Sequence, residues 1–278
     1  MIFSNQIDLV MILSLVFSLA VGYFIFVPEP FKSKYYCKSL DSPRISEILL
    51  YSILAVFIFM LMDLQTDISN FLGLNPSLNY DRYMLMLEGN KVSYFQSLAT
   101  PMLTYFSGVV YLLGFSFLLI FTFVVLLYTQ NTEVLKEYAM AFTFIYLAAY
   151  TFYILFPVDV AGHVLPGMTP LLYQLSPPAI LRILTFCDPG LKNSFPSLHA
   201  ALSVMATLFI LFRTRDLRRY KVFAVGTTIF ILFAILYLGI HWITDMIGGI
   251  ILAFAAYFVA TRISKTRFKD EDIHLYMR

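Results

Sequence analysis

The sequence has little charge. Asp, Glu, Lys and Arg make up 13% of its 278 residues, whereas hydrophobic types make up 60%. Soluble domains carry about 25% charged residues, so this composition excludes an ordinary soluble domain and indicates an integral membrane protein. The net charge of only +2 leaves no extended basic surface, which argues against a nucleic-acid partner.

Long apolar runs dominate the rest of the chain. A helix needs about 20 apolar residues to cross a hydrocarbon core roughly 30 Å thick. Seven runs approach or exceed this length: 8–27, 46–63, 102–128, 138–156, 197–212, 222–239 and 243–262. Because no internal repeat or long polar linker divides the chain, we predict an all-α polytopic membrane helical bundle of about seven transmembrane helices.

The basic residues favour one orientation of this bundle. Seven spans place fifteen Lys and Arg residues on one side of the membrane and four on the other, and the basic side is cytoplasmic. We therefore predict an outside amino terminus, a cytoplasmic carboxy terminus, and long outer loops at about 64–101 and 157–196. Cysteine is scarce, and Cys37 and Cys187 then lie on opposite sides, which excludes a disulfide between them.

Two of the four histidines stand beside apolar runs. His199 lies in "NSFPSLHAALS", one turn into the fifth predicted span, and His241 lies in "GIHWITDMIGG", between the sixth and seventh. The fifth and sixth runs would rise about 24 and 27 Å as helices, so the chain returns to the same side and depth. We expect His199 and His241 to share one side and one depth, and we expect His163 and His274 to be solvated surface residues.

Asp245 follows His241 by four residues, which places both on one face of a helix. A carboxylate there fixes the tautomer of the imidazole and raises the nucleophilicity of its other nitrogen. Ionisable groups in membrane helices are costly and usually functional, although a His–Asp pair that only ties two helices together is the plainer alternative. Gly248 and Gly249 are expected to permit close helix packing.

The fifth span begins in a way that suits an anion. Ser194 or Ser197 is suited to cap the helix and Pro196 to its first turn, so free N–H groups point outward. Lys192 stands just before them. An anion-binding helix start, a nearby cation and two histidines favour phosphoryl transfer, because the charge around phosphorus needs donors and the leaving oxygen needs a proton.

"FPSLHAALS" followed by "GIHWITDMIGG" resembles the second and third signature motifs of the lipid phosphatase and vanadium haloperoxidase superfamily, the type 2 phosphatidic acid phosphatases. The Phe-Pro-Ser-Leu-His sequence of the first of these motifs most resembles the branch that contains inositol phosphorylceramide synthases. The resemblance covers about residues 100–262. It implies a catalytic core at 102–262, amino-terminal helices and an outer loop at 1–101, and a cytoplasmic tail at 263–278.

The resemblance also implies roles for individual residues. His241 would attack phosphorus to give a phosphohistidine, Asp245 would orient it, and His199 would protonate the leaving oxygen. The substrate-binding candidates are Ser197, Lys192, Ser194 and Arg182. No metal or other cofactor is implied.

The sequence departs from the superfamily pattern in its basic residues. The first motif, a lysine spaced six residues from Arg-Pro, is absent. Ile235 replaces the arginine usually found six residues before the third-motif histidine. The phosphate is therefore expected to be bound by Lys192, Arg182 and backbone donors.

Three other interpretations use the same residues. His199, His241 and Asp245, with Asp159, suit a metal site. Ser197 suits a serine nucleophile with His241 as its base. Buried charges also line transporters, although seven spans without inverted repeats argue against transport.

Hydrolysis and transfer both remain open, because a phosphohistidine is resolved by water or by an alcohol such as a lipid or a sugar polyol. The expected donor is an amphipathic lipid phosphate, such as phosphatidic acid or a polyprenyl phosphate or diphosphate, that enters between helices at the outer interface. Trp242 and nearby tyrosines are expected to lie there as interfacial anchors.

Overall fold

The computed structural model describes residues 2–27, 46, 49, 50, 53, 57, 68, 71–73, 79–128, 132–175, 192–215 and 217–276. Most of the predicted span 46–63 lies outside the described residues. Arg182, Cys37 and Cys187 lie outside them as well.

The described residues form helices joined by loops, with no strand among them. In chain order the helices are α1 (Ile2–Phe26), α2 (Asp81–Glu88), α3 (a 3₁₀ helix, Lys91–Leu98), α4 (Pro101–Val109, a π-helical turn Val110–Gly114, and Phe115–Tyr128), α5 (Thr132–Leu155), α6 (Ala161–Val164), α7 (Leu171–Leu175), α8 (Leu198–Arg213), α9 (Arg218–Tyr237) and α10 (Ile243–Tyr276).

Four helices of the described part of the chain are long and apolar enough to cross a membrane: Pro101–Leu127, Glu133–Leu155, Arg218–Tyr237 and Ile243–Ser264. Each lies within a few residues of a predicted run. Ile12–Phe26 and Leu198–Arg213 are apolar but shorter. The chain is therefore consistent with an integral membrane protein, and the count of about seven spans stays a prediction.

Local sequence sets where the helices of the site begin. Thr100 caps α4, since its side chain accepts a hydrogen bond from the Leu103 N–H, and Pro101 occupies the first turn, where its missing N–H is not needed. α10 runs without a break beyond residue 262, so the expected tail at 263–278 starts as a continuation of this helix.

α8 lies at the centre of the bundle and packs most extensively against α10, and then against α9, α5 and α4. Its small residues Ala200, Ala201 and Ala206 are fully buried, which lets neighbouring backbones approach closely. Large apolar side chains on the outside, including Ile229 of α9 and Ile251 of α10, are exposed, as expected of lipid-facing positions.

Hydroxyl pairs link the helices inside this apolar bundle. The pairs are Thr104 with Tyr237 at 2.7 Å, Thr122 with Tyr220 at 2.8 Å, and Thr207 with Thr228 at 2.7 Å. At the end of α8 remote from His199, Arg213 forms an ion pair with the buried Glu137 at 2.7 Å. Each polar group thus has a partner where water is scarce, so these contacts fix the mutual position of α4, α5, α8 and α9.

Candidate active site

His199 and His241 are neighbours in space although 42 positions separate them. Their ring centroids are 6.1 Å apart. His199 lies in the first turn of α8, and His241 lies two residues before α10. The prediction that the two histidines lie at one depth is confirmed, and the structure adds that their rings are neighbours. His241 is buried and His199 is partly exposed.

The surroundings of His241 determine which of its nitrogens is free. Nδ1 lies 3.0 Å from the Ser194 carbonyl oxygen. A carbonyl oxygen accepts hydrogen bonds and has no proton to give, so Nδ1 carries the proton and donates it. Nε2 is then left with the lone pair, which is the tautomer that a nucleophilic imidazole requires.

Asp245 is fully buried beside the Nδ1 edge of His241. Its Oδ2 lies 3.5 Å from Nδ1, which is longer than a hydrogen bond of ordinary strength. That oxygen accepts hydrogen bonds from the Ser194 hydroxyl and, at 2.8 Å, from the Trp242 N–H. The carboxylate therefore supplies negative charge next to the ring, while the Ser194 carbonyl makes the closer contact.

Ser194 lies behind His241, on the side away from Nε2. It is fully buried, and its hydroxyl is bonded to Asp245. A phosphoryl group on Nε2 would lie at the opposite edge of the ring, so this hydroxyl supports the His–Asp pair and does not face the expected phosphate position. The sequence motif revealed that a serine was present, but its orientation comes from the loop that precedes α8.

Ser197, and not Ser194, caps α8. Its Oγ accepts a hydrogen bond from the Ala200 N–H at 3.2 Å. Its own N–H donates to the backbone oxygen of Asp245 at 3.1 Å. Ser197 therefore joins the start of α8 to the first turn of α10, the two segments that carry the histidines.

The serine hydrolase interpretation meets a geometric difficulty. In a catalytic triad the serine and the carboxylate contact opposite nitrogens of the histidine. Here the Ser194 hydroxyl is 3.3 Å from Nδ1 of His241, on the same edge as Asp245. Ser197 caps a helix and is fully buried. Neither serine has the placement of a triad nucleophile.

Two atoms of the side chains suggested for a metal site already make other contacts. Nδ1 of His241 bonds to Ser194, and Oδ2 of Asp245 bonds to Ser194 and Trp242. Within the described ranges, no group of three or more His, Cys, Asp or Glu side chains is arranged to hold a metal ion.

Two aromatic residues of α4 hold the His199 ring. Tyr111 stacks on it, with centroids 4.2 Å apart and planes inclined by 25°, and Phe115 lies 4.4 Å away. Both belong to or border the π-helical turn Val110–Gly114. A π turn adds a residue to the helical repeat and frequently occurs at functional sites. Periodicity in an apolar run gives no signal for such a turn, and sequence reasoning missed both residues.

The turn that precedes His241 is held by contacts with three other segments of the chain. Gly239 has φ +73°, and a Cβ there would lie 2.6 Å from the Thr169 oxygen. The Gly162 N–H donates to the Gly239 oxygen at 2.9 Å. The Gln96 side-chain amide donates to the Tyr237 oxygen at 3.1 Å and to Thr169. Contacts from α3, α6 and the loop before α7 thus hold the turn that precedes His241, a role that sequence reasoning did not assign to Gln96.

Trp242 is not an interfacial anchor. Its side chain is fully buried, and its indole N–H donates to the Asp159 carbonyl at 2.9 Å. The expectation of an interfacial anchor does not hold, because the loop after α5 folds over the start of α10 and provides a partner for the indole. His163 is exposed, as expected.

Lys192 lies near Asp159, in the loop that precedes α8. Burial raises the pKa of the Asp159 carboxyl above its usual value and the neighbouring Asp81 raises it further, whereas the Lys192 ammonium acts in the opposite direction. The Lys192 backbone oxygen accepts a hydrogen bond from the Val158 N–H at 3.0 Å. The structure therefore associates this lysine with a carboxylate. Its expected contact with phosphate stays a prediction, and so does that of Arg182.

Comparison with known protein families gives one match. Residues 163–269 match the model of the PAP2 superfamily. The matched segment contains Ser194, His199, His241 and Asp245, and it starts later than the catalytic core predicted at 102–262. No curated protein and no solved structure gives a significant match. In this apolar helical protein, the segment that carries the histidine pair is thus similar to a superfamily of phosphatases and phosphotransferases that act on phosphate esters.

Proposed function

We propose that this protein is a membrane phosphatase or phosphotransferase that acts on a lipid phosphate through a phosphohistidine at His241. The observation that carries the proposal is the histidine pair itself. One ring has its Nδ1 proton directed at a carbonyl, which leaves Nε2 free, and the second ring lies 6.1 Å away, centroid to centroid. Two rings this close can act on one phosphate, one as the nucleophile and the other as the acid.

In the first step, the Nε2 lone pair of His241 attacks phosphorus. The bond from phosphorus to the leaving oxygen breaks, and its electron pair stays on that oxygen, which takes a proton from the imidazolium of His199. The negative charge of a bound phosphate favours this charged form of His199. Asp245 stabilises the positive charge that develops on the His241 ring.

In the second step, neutral His199 accepts the proton of an incoming hydroxyl as its oxygen attacks phosphorus. The P–N bond breaks, and its electron pair returns to Nε2. Water gives hydrolysis and an alcohol gives transfer. The chain's own residues carry both steps, and the proposal requires no metal.

A lipid donor fits the position of the site. The histidines lie at the start of α8 and just before α10, at the end of the bundle, and exposed apolar side chains cover the sides of the helices. A phosphate headgroup can reach this end while its acyl or prenyl chains remain among the helices. We place this end on the non-cytoplasmic side because the opposite loops carry most of the Lys and Arg residues.

Transfer to an alcohol is the second candidate within this class. It is favoured by the Phe-Pro-Ser-Leu-His sequence at 195–199, which resembles the corresponding motif of the inositol phosphorylceramide synthase branch. The same histidines serve both reactions, so the occupant of the acceptor position decides between them.

The test is phosphate release by the purified protein in lipid nanodiscs with excess chelator. Radiolabelled phosphatidic acid and a polyprenyl diphosphate serve as donors, each with and without inositol. We expect turnover in the wild type and none in His241→Ala. His163→Ala, which truncates an exposed histidine of the outer loop, is the matched control and should leave turnover unchanged.

The outcomes separate the alternatives. A labelled inositol product establishes transfer, and free phosphate alone establishes hydrolysis. Activity lost on chelation and restored by a divalent metal contradicts metal independence. Full activity in a folded His241→Ala protein refutes the phosphohistidine.

A further inference from the structure

One buried carboxylate near the site has no part in the steps above. Glu88 ends α2, far outside the matched segment 163–269, and only 6% of its surface is exposed. Its Oε2 accepts a hydrogen bond from the Thr244 N–H at 3.3 Å. Its Oε1 is buried without a hydrogen-bond partner among the described residues. A buried carboxylate with one unsatisfied oxygen is costly, which points to a functional reason for its position.

Glu88 acts at the start of α10, two to three residues after His241. The first N–H groups of a helix have no partner within the helix. Asp245 is the third residue of α10, and it accepts a hydrogen bond from the N–H of Trp242, the residue just before the helix. The acidic residue of a capping box makes the same contact. Glu88 accepts from Thr244. Two carboxylates from different segments thus share the donors of one helix start.

The same helix start fixes the position of Asp245. Thr244 is the residue directly before Asp245, and the Asp245 backbone oxygen accepts the Ser197 N–H at 3.1 Å. A shift of the Thr244 backbone therefore moves the carboxylate that lies 3.5 Å from Nδ1 of His241. Since α2 reaches α10 through Glu88, this side chain links the outer segment to the His–Asp pair.

The charge of Glu88 changes near neutral pH. Burial raises the pKa of the Glu88 carboxyl from 4.5 to about 7, and the charge of Asp245 adds to this effect. The N–H groups of Thr244 and Ile243, and the Lys91 ammonium, act in the opposite direction. An ionised carboxylate accepts hydrogen bonds more strongly than a neutral carboxyl group, so the contact with Thr244 strengthens as pH rises through this range.

We propose that Glu88 is a positioning residue for the reaction at His241, and that it acts by holding the first turn of α10 so that Asp245 remains beside Nδ1. This inference rests on the proposed function. Glu88 does not contact the reacting atoms. Its loss should therefore lower kcat and leave KM unchanged.

Three substitutions separate the hydrogen bond from the charge. Glu88→Gln keeps the length of the side chain and an oxygen acceptor, whereas Glu88→Asp keeps the charge but is one methylene too short to reach Thr244. Misplacement of a reacting group by about 1 Å lowers rates about 100-fold, so we expect losses of this order in Glu88→Asp and Glu88→Ala. Glu88→Gln should lose less than about tenfold, because a neutral acceptor still positions the helix.

The pH profile gives a second readout. The wild type should show kcat rising through about pH 7, where Glu88 ionises. Glu88→Gln should lack this rise and should keep the other changes of kcat with pH, which the histidines produce. Asp81→Asn is the matched control: it alters the other buried carboxylate of α2, which accepts from the Asp159 N–H, and should leave kcat and the pH profile unchanged.

Amide hydrogen exchange tests the inference without any substrate. Residues 243–245 should exchange faster in Glu88→Ala and Glu88→Asp than in the wild type or Glu88→Gln. A Glu88→Asp enzyme with wild-type kcat and exchange would overturn the inference, as would equal effects of Glu88→Ala and Asp81→Asn. A wild type without any turnover whose exchange follows the expected order instead refutes the proposed function and leaves the helix contact established.

Discussion

The contact between α10 and the start of α8 sets the separation of the two histidines, and Gly249→Ala perturbs it directly. A Cβ at Gly249 would lie 2.9 Å from the Ala200 Cβ and 3.2 Å from the Ala201 nitrogen, and closer still to the Ser197 oxygen. These atoms belong to the cap and first turn of the helix that carries His199. The expectation that Gly249 permits close packing is confirmed by this geometry.

The size of the effect follows from these distances. Ordinary van der Waals contact begins at 3.4 Å, so the Ala200 contact requires a shift of about 0.5 Å and the Ser197 contact a larger one, near 1 Å. Overpacking destabilises by about 1–3 kcal/mol, and the better helix propensity of Ala offsets up to about 1 kcal/mol. Because His199 moves with the first turn of α8, we expect kcat to fall about 100-fold.

Gly226→Ala provides the matched control. Gly226 lies in α9, and a Cβ there would meet nothing within 4 Å. Both variants are assayed for kcat in nanodiscs and for thermal unfolding. Gly226→Ala should retain kcat and unfold at the wild-type temperature or above. A Gly249→Ala protein with wild-type kcat would refute the reasoning that close packing at this glycine sets the histidine geometry.

Three further predictions concern single side chains. His199→Ala should lower kcat for lipid phosphates by about 10²–10⁴ and kcat for nitrophenyl phosphate esters far less, because a nitrophenolate leaves without a proton. Equal losses of kcat across a series of leaving groups would contradict the acid role of His199. Ser194→Ala removes a donor from buried Asp245 and should destabilise by about 1–3 kcal/mol, measured by thermal unfolding; an unchanged melting temperature would count against that contact. The raised pKa of Glu88 means that the folded protein holds this proton more tightly than the unfolded chain, so stability should fall from pH 4.5 to about 7; Glu88→Gln should remove that slope from the unfolding free energy measured against pH.

The positions of several helices could be predicted from the sequence because the bilayer imposes a length on them. The runs at 102–128, 222–239 and 243–262 correspond to helices that the structure contains. The common depth of His199 and His241 followed from the similar rise of two consecutive helices, whereas the proximity of their rings is seen only in the structure. Each of these inferences needs only the rise per residue and the order of elements along the chain.

The orientation of the site residues was less predictable. Two serines were candidates to cap α8, and only the folded loop shows that Ser197 does so while Ser194 bonds to Asp245. Trp242 looked like an interfacial aromatic because its sequence position is near a helix end. In the structure its indole N–H is bonded to the Asp159 carbonyl, which the loop after α5 brings from 83 positions away.

The sequence by itself predicted an all-helical chain whose apolar helices are consistent with a membrane protein, the positions of several of those helices, and a common end for two histidines and a carboxylate. Hydropathy and helical rise decide these features, and both are local properties of the chain. Only the tertiary structure decided which atoms meet: Tyr111 on the ring of His199, and Glu88 at the first turn of α10. Such contacts join segments that are far apart in the chain, and they depend on packing that no local pattern records.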